Sequence, residues 1–483
     1  MKTIFEISKP GRKAYTLPQS DVPGELMESL PSRFKRENPL RLPEVSEVDA
    51  VRHWTNLSQL NYHIEKGFYP LGSCTMKYNP KINEETGGLP GFTEIHPLQP
   101  TSSVQGALEI MHKLGQMMSE ITGLPTVSFQ PVAGAHGETT GLMLARAYFE
   151  SKGENRESVL VPDSSHGTNP ASTTLSGFKS EKLSSNERGL VNIDELEEKM
   201  DEKVAVFMLT NPNTLGLFES NLKRIVDIVH KKGGLLYLDG ANLNALLGIM
   251  NPGKVGFDIV HLNLHKTFST PHGGGGPGGG GLAVRDDIEP FLPVPIVKKG
   301  DSGYYLDYNY PHSIGKIHSF YGNFNVLVKA YTYLLMLGSK GLRRVSENSI
   351  INANYLKESL KDDYELPYKQ PAMHEFVLSG SKQRKLGVKT LDIAKRLLDL
   401  GFHAPTIYFP LIVTEALMIE PTETESKETL DAFISAMKRI ADEAVNEPEA
   451  LKNAPVTTPV RRLDEVKAAR ELKVRHTWDT ENE

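Results

Sequence analysis

Four short apolar runs, Ser158–Pro162, Val204–Asn211, Gly234–Gly240 and Ile259–Leu264, each pass directly into polar or glycine-rich sequence. Runs of this length read as strands. Between the second and third, Leu222, Ile225, Val226 and Val229 form an i, i+3, i+4, i+7 stripe, predicting a helix that begins near Glu219 and stops at Gly233. From about residue 104 onward helical and strand patterns alternate, which predicts an α/β chain built on a mostly parallel sheet. In open parallel sheets the loops at the carboxyl ends of the strands build the ligand site, so the residues just after each run carry the functional reading.

The flanks differ from this centre. Pro10, Pro18, Pro23, Pro31, Pro39 and Pro43 remove backbone donors and fix φ, predicting an extended amino-terminal arm. After about residue 326 the pattern is helical with a few short strands, such as HEFVLSG, and a stripe of Leu430, Phe433, Ile434, Met437 and Ile440. The expected division is an arm and loop over 1–90, a large domain over 91–325, and a smaller α+β domain over 326–483 whose tail beyond Glu447 is peripheral. With 483 residues, a core of that size needs no disulfide staple, and the single cysteine, Cys74, excludes a disulfide framework or a cysteine-rich zinc module. A net charge of −6 without a long basic stripe argues against nucleic acid as a partner. The start lacks an apolar signal core, and the longest apolar candidate, FPLIVTEALMI, is broken by Thr414 and Glu415, so a cytoplasmic protein with no membrane partner is expected.

The segment HKTFSTPHGGGGPGGGG, from His265 to Gly281, resembles a nucleotide loop only superficially. A Walker loop needs its lysine after the glycines and just before a helix, whereas Lys266 precedes them. A dinucleotide turn should open a helix, whereas this run leads into LAVR, which reads as another strand. Lys266 instead follows an apolar strand, where desolvation favours the neutral amine that Schiff-base chemistry requires. Asp239 ends the preceding strand, LDGAN, where a carboxylate is well placed to hold a cationic ring nitrogen. Metal binding by Asp239 lacks a neighbouring cluster of suitable spacing. HLNLH places His261 and His265 four apart, but in strand-type sequence that spacing does not bring them together, and no metal site is expected.

A third element, PVAGAHGETTGLMLARAYF, runs from a glycine-rich turn at Gly134–Gly137 into a helix apolar on most sides. Free N–H groups and the positive end of the helix dipole suit a phosphate dianion there, and His136 could stack on a flat ring. Phosphate turn, then Asp at one strand end, then Lys at the next is the order of fold-type I pyridoxal-phosphate (PLP) enzymes. These residues, with YPLGSCTMKYNP (Tyr69 to Pro80), DSSHGTNPAS (Asp163 to Ser172) and LTNPNTLG (Leu209 to Gly216), closely resemble the PLP-bearing half of the glycine decarboxylase family, the P-protein of the glycine cleavage system. The resemblance spans most of residues 60–325.

That resemblance implies a fold-type I PLP-dependent enzyme with a large sheet domain and a smaller carboxyl-terminal domain. It implies that Lys266 anchors PLP covalently and that Asp239 holds its pyridine nitrogen. Gly134, Ala135 and His136 match the phosphate and ring-stacking turn, with Ala241 beside Asp239. Asn211 matches a residue near the ring hydroxyl, Asn263 a phosphate contact, and His265 the position just before the lysine. The implied activity is that of glycine dehydrogenase (aminomethyl-transferring): glycine loses CO₂ and its aminomethyl group passes to the lipoyl disulfide of the H-protein. No arginine stands out as a carboxylate clamp, so Ser73, Thr75, His166 and Asn169 are the substrate-site candidates. Cys74 reads either as a thiol reactive toward the lipoyl sulfur or as a small buried residue. Single-chain members are about twice this length, so the implied partner is a homologous, PLP-free subunit 1, around which the proline-rich arm could wrap. The competing readings are another fold-type I enzyme acting on a small amino acid (serine hydroxymethyltransferase-like, an aminotransferase or a decarboxylase), a PLP-free scaffold subunit, and a nucleotide-binding module.

Overall fold

The computed structural model describes residues 1–16, 18, 21, 30–38, 40–272 and 278–476; Pro23, Pro39 and the centre of the glycine run, 273–277, lie outside them. The chain forms two compact units, 1–66 and 67–483. In the first, the described proline-rich residues carry only a short 3₁₀ turn, Ser32–Phe34. Extended chain is pinned where the Lys9 and Gly11 N–H groups donate to the backbone and carboxylate of Glu44. The arm reading does not extend past Pro43, because a helix forms at Glu47–Ser58. Its cause is local: the Ser46 hydroxyl caps the Asp49 N–H, and Glu47 and Asp49 place negative charge in the first turn.

The second unit is organised by a seven-stranded sheet of order β1-β7-β6-β5-β4-β2-β3. Its strands are β1 (Thr126–Ser128), β2 (Ser158–Pro162), β3 (Lys179–Leu183), β4 (Val204–Thr210), β5 (Leu235–Gly240), β6 (Ile259–Asn263) and β7 (Gly280–Val284). From β3 to β6 neighbours are parallel, while β7 and β1 close one edge antiparallel. The four predicted strands are therefore present within a residue of their predicted ends, and the helix between β4 and β5 spans Leu222–Lys231. Residues of β2, β4, β5 and β6 are buried throughout, as a parallel sheet covered on both faces requires.

Strand alternation sorts the residues between two cores. Leu160, Phe207, Leu209, Leu236, Leu238, Val260 and Leu262 pack on one face. Val159, Val161, Val206, Met208, Leu235, Tyr237 and Ile259 pack on the other, against Leu142, Leu144, Ala145, Tyr148 and Phe149 of the helix Gly134–Ser151. Each fully buried side chain of this kind contributes about 1.5–3 kcal/mol. The same period of two carries Thr210, Asp239 and His261 onto the second face. The register pairs Thr210 with Asp239 and Asp239 with His261, so three polar groups stand in a row at the carboxyl ends of β4, β5 and β6.

Beyond Phe324 a long helix to Leu360, interrupted at Gly338 (φ +58°), leads to a three-stranded antiparallel sheet of Phe376–Ser379, Ala416–Ile419 and Thr406–Ile407. The helix Lys427–Asn446 covers it with Leu430, Phe433, Met437 and Ile440. The segment 67–80 returns to this sheet, where Leu71 forms an antiparallel bridge to Ile419. Among the described residues no helix is long and apolar enough to cross a membrane.

Candidate active site

A cavity of about 130 Å³ lies at the carboxyl ends of the central strands, lined among others by Ser73, Gly134, Ala135, His166, Asp239, Ala241, Asn263, His265 and Lys266. Two larger cavities, of about 530 and 590 Å³, contain neither Lys266 nor Asp239. Lys266 sits in the turn after β6, half-buried, and its Nζ donates to the Ser73 carbonyl at 2.9 Å. Ser73 holds a positive φ of 64°, unusual for a non-glycine residue, and that conformation supports the carbonyl facing the lysine.

Asp239 is 1% exposed and has polar neighbours at both oxygens. Its Oδ1 accepts from the Ala241 N–H at 2.9 Å and lies 3.1 Å from His261 Nε2; its Oδ2 accepts from Asn169 at 3.0 Å and from the Thr210 hydroxyl at 3.4 Å. Burial alone would raise its pKa, but the nearby charge of His261, then the hydrogen bonds of Asn169 and Ala241, hold it well below the usual carboxylate range. Reciprocally, burial opposes protonation of His261 while Asp239 raises its pKa. Behind this pair the Tyr237 hydroxyl lies 3.2 Å from both His261 Nδ1 and the Gly137 carbonyl. Asn169 also donates to Glu138 at 3.0 Å, and Thr168 and Ser172 complete that carboxylate's contacts.

Opposite Asp239 the helix Gly134–Ser151 begins without a side-chain cap after Ala133, and among the described residues the N–H groups of Gly134, Ala135 and His136 have no acceptor. Among the described residues the Oδ1 of buried Asn263 also lacks a partner, and a Cβ on Gly134 would lie 2.7 Å from it. An uncapped helix start and a glycine-sized gap fit a phosphate dianion, toward which Asn263 would have to turn its Nδ2 donor rather than the unpartnered Oδ1. Lys266 and ionised Asp239 fit the aldehyde and the ring nitrogen of PLP.

The structure separates the other sequence candidates. His136 does not line the cavity: its Nδ1 accepts from the Val132 N–H at 3.3 Å and its ring meets the Ile317 backbone and His318. His166 lines the cavity at its exposed rim, with Nδ1 2.9 Å from the Thr168 hydroxyl. Asn211 spends its Oδ1 on the Glu219 N–H and, like Thr75 and Asn169, stays outside the lining. His265 contacts the Gly279 carbonyl at 3.3 Å, its pKa brought down to about 4 by burial and then by Lys266. His261 and His265 do not converge, since one faces Asp239 and the other Gly279. The Cys74 thiol lies 3.5 Å from His272 Nε2, and burial raises its pKa, so the environment disfavours a thiolate. Sequence reasoning missed Glu138, Thr168, Thr210 and Thr214 in the lining. Glu138 had a signal, a carboxylate one turn into a helix that then runs largely apolar through Leu142, Leu144 and Ala145.

Residues 16–302 match the model of the family described as glycine cleavage system P-protein, which is more than half the chain. The chain belongs to the glycine cleavage system P-protein family. A second family model, glycine dehydrogenase, C-terminal domain, matches residues 345–458 of this P-protein-family member. It is 58% identical over 479 residues to a probable glycine dehydrogenase (decarboxylating) subunit 2 of Chloroherpeton thalassium, covering 98% of this chain and 97% of that one. It is 59% identical over 476 residues to the protein of the same name from Caldanaerobacter subterraneus subsp. tengcongensis, covering 98% of each. Among solved structures, a glycine decarboxylase (P-protein) of the glycine cleavage system in inhibitor-bound form superposes with a TM-score of 0.72 at 24% identity, over 86% of this chain and 94% of that one. A cysteine desulfurase from Thermococcus onnurineus superposes at 0.59 and 16% identity, over 78% and 95%. The P-protein fold here is thus the fold-type I architecture expected from the order of its motifs.

Proposed function

We propose that this chain is the PLP-bearing subunit that decarboxylates glycine and passes the aminomethyl group to the lipoyl disulfide of a carrier. One observation carries the reading: Lys266, the ionised Asp239 and the acceptor-free start of the Gly134 helix face a single cavity. When bound, PLP supplies the electron sink that makes loss of CO₂ accessible. Lys266 is its covalent anchor, while Ser73 O orients the amine beforehand. Asp239, kept ionised by His261 and Asn169, holds a proton on the ring nitrogen. Gly134, Ala135 and Asn263 take the phosphate, and His166 replaces His136 as the ring-facing imidazole. Ser73, a neutral hydroxyl residue in the lining, suits a carboxylate that must leave as uncharged CO₂, because a tight ion pair would stabilise the substrate more than the transition state.

The name subunit 2, borne by relatives matched over nearly their full length, supports a homologous PLP-free subunit as partner. A lipoylated H-protein would then be the acceptor, in the cytoplasm. The test is glycine-dependent exchange of bicarbonate carbon by the chain with its partner. Exchange should require lipoylated carrier, and the cofactor's visible absorption should disappear in Lys266→Ala. Rapid transamination of 2-oxoglutarate without exchange would overturn the assignment.

A further inference from the structure

Behind Ser73 lies a second group of buried ionisable side chains. The antiparallel register pairs Phe376 with Ile419, so Glu375, just before one strand, and Glu420, just after the other, come side by side. Their ligand-type atoms and one of His374 lie within 4.8 Å of one another, and all three residues are at most 1% exposed. Glu375 accepts from the Ser73 N–H at 2.6 Å and from Asn242 at 3.2 Å; Glu420 accepts from the Thr75 N–H at 3.0 Å and from its hydroxyl at 2.5 Å. His374 Nε2 stands 3.9 Å from an oxygen of each, and neither ring nitrogen has a hydrogen-bond partner among the described residues. The other ionisable groups facing the pair are Lys266, whose Nζ is held by Ser73 O, Lys77, paired with Glu423 at 2.8 Å, and the Cys74 thiol.

No lysine or arginine among the described residues makes an ion pair with Glu375 or Glu420, and two buried carboxylates this close do not both ionise near neutrality. Burial and then the Glu420 charge push Glu375 well above the carboxylate range, and burial pushes Glu420 to about 7. His374 is brought down to about 3 by burial and then Lys266, so the imidazole is neutral and the proton belongs to the carboxyl pair.

We propose that Glu375 and Glu420 share one proton and serve as the proton store of the cavity, giving it up once per turnover. This rests on the reaction proposed above, which consumes a proton. The Cα–carboxyl bond of glycine breaks to release CO₂, and its electron pair forms a Cα–S bond with one lipoyl sulfur. The S–S bond breaks, and the distal sulfur departs with its electron pair as a thiolate. The C–C bond has thereby reduced the disulfide by two electrons, and with the amino group at the same protonation before and after, the thiolate needs one proton to become a thiol. Ser73 sets the store beside the reaction space, since its N–H rests on Glu375 and the residue lines the cavity; the amide holds the carboxylate in place and does not itself pass the proton. Neither glutamate lines that cavity, so both are positioning residues and proton holders.

The experiment is infrared titration of the PLP-loaded chain, in which protonated carboxyl groups absorb apart from carboxylates. One buried carboxyl band is expected at neutral pH, fading as pH rises and absent from both Glu375→Gln and Glu420→Gln. Absence of such a band in the wild type, or its survival in both variants, overturns the proposal. The paired readout is net aminomethyl transfer against pH. The wild-type rate should fall as pH rises above neutrality and the pair loses its shared proton, whereas Glu420→Gln should lose that limb and slow on the order of 10²-fold. An unchanged limb in Glu420→Gln and Glu375→Gln also overturns the store. Failure of glycine-dependent exchange in the wild type would instead overturn the reaction, leaving the infrared band to decide the shared proton.

Discussion

His261 Nε2 lies 3.1 Å from Asp239 Oδ1, inside a sheet where the two residues are register partners on adjacent parallel strands and are 0% and 1% exposed. A buried imidazole thus sets the charge of the carboxylate proposed to face the ring nitrogen. In His261→Asn the burial of Asp239 loses its principal compensation, and its pKa rises. We expect weaker PLP binding and a stability loss of about 3–5 kcal/mol from breaking a buried pair. The pH dependence has a defined sign. His261, with a raised pKa, stabilises fully below its ordinary 6.5 and less as pH rises through the folded value; Asp239, with a lowered pKa, stabilises fully above its ordinary 3.8 and less as pH falls through its folded value. The wild-type advantage in urea midpoint should therefore be greatest between 3.8 and 6.5 and should narrow at alkaline pH. An advantage that is flat with pH would exclude an ionic role for His261.

Gly134→Ala should separate cofactor binding from stability. The added Cβ would lie 2.7 Å from Asn263 Oδ1, a side-chain tip that can turn aside, while alanine is the better helix former. The fold should survive, with a urea midpoint close to wild type. The displaced amide and narrowed cradle should nevertheless cost about 1.4–2.8 kcal/mol in PLP affinity, roughly 10- to 100-fold. Equilibrium titration with PLP measures this, and an unchanged affinity would remove the phosphate from the Gly134 turn.

The division between what could and could not be read from the residues has a physical origin. Strands β2, β4, β5 and β6 were legible because buried parallel strands are apolar in nearly every residue, and the positions of Asp239 and Lys266 because one closes such a run and the other stands just beyond one. Ala135 and Gly134 were legible as a turn opening a helix. His136 was less legible because a turn fixes the backbone and leaves side-chain direction open: this imidazole meets the Val132 N–H and the Ile317 backbone. Glu375 and Glu420 are 45 positions apart and adjacent only through antiparallel register, which no local pattern reveals.

The two histidines should therefore behave oppositely. His166→Ala removes a ring from the cavity rim, and loss of an aromatic contact of about 0.5–1.5 kcal/mol should weaken PLP binding several-fold and alter the cofactor's visible spectrum. His136→Ala removes the acceptor for the Val132 N–H, so it should lower the urea midpoint by about 0.5–1.5 kcal/mol while the spectrum of the loaded chain stays as in wild type. The reverse pattern would restore His136 to the ring.

Gly216 links the stability of the carboxyl-terminal sheet to the cavity. It has φ +75°, and a Cβ there would fall 1.8 Å from the backbone carbonyl of Glu375, a neighbour that cannot swing away. The Gly216 carbonyl also accepts from the Met373 N–H at 2.7 Å, so the contact fixes the start of the segment carrying His374 and Glu375. Gly216→Ala combines left-handed strain of about 1–2 kcal/mol with overpacking of about 1–3 kcal/mol, giving an expected loss of about 2–5 kcal/mol in a urea titration. The backbone of Glu375 must shift, and with it the carboxylate that accepts from Ser73 N–H, whose carbonyl in turn accepts from Lys266. Residual folded protein should therefore also show slower covalent attachment of PLP, followed by stopped-flow absorbance at Lys266. Attachment at the wild-type rate in a destabilised Gly216→Ala chain would show that the loop keeps its place without Glu375.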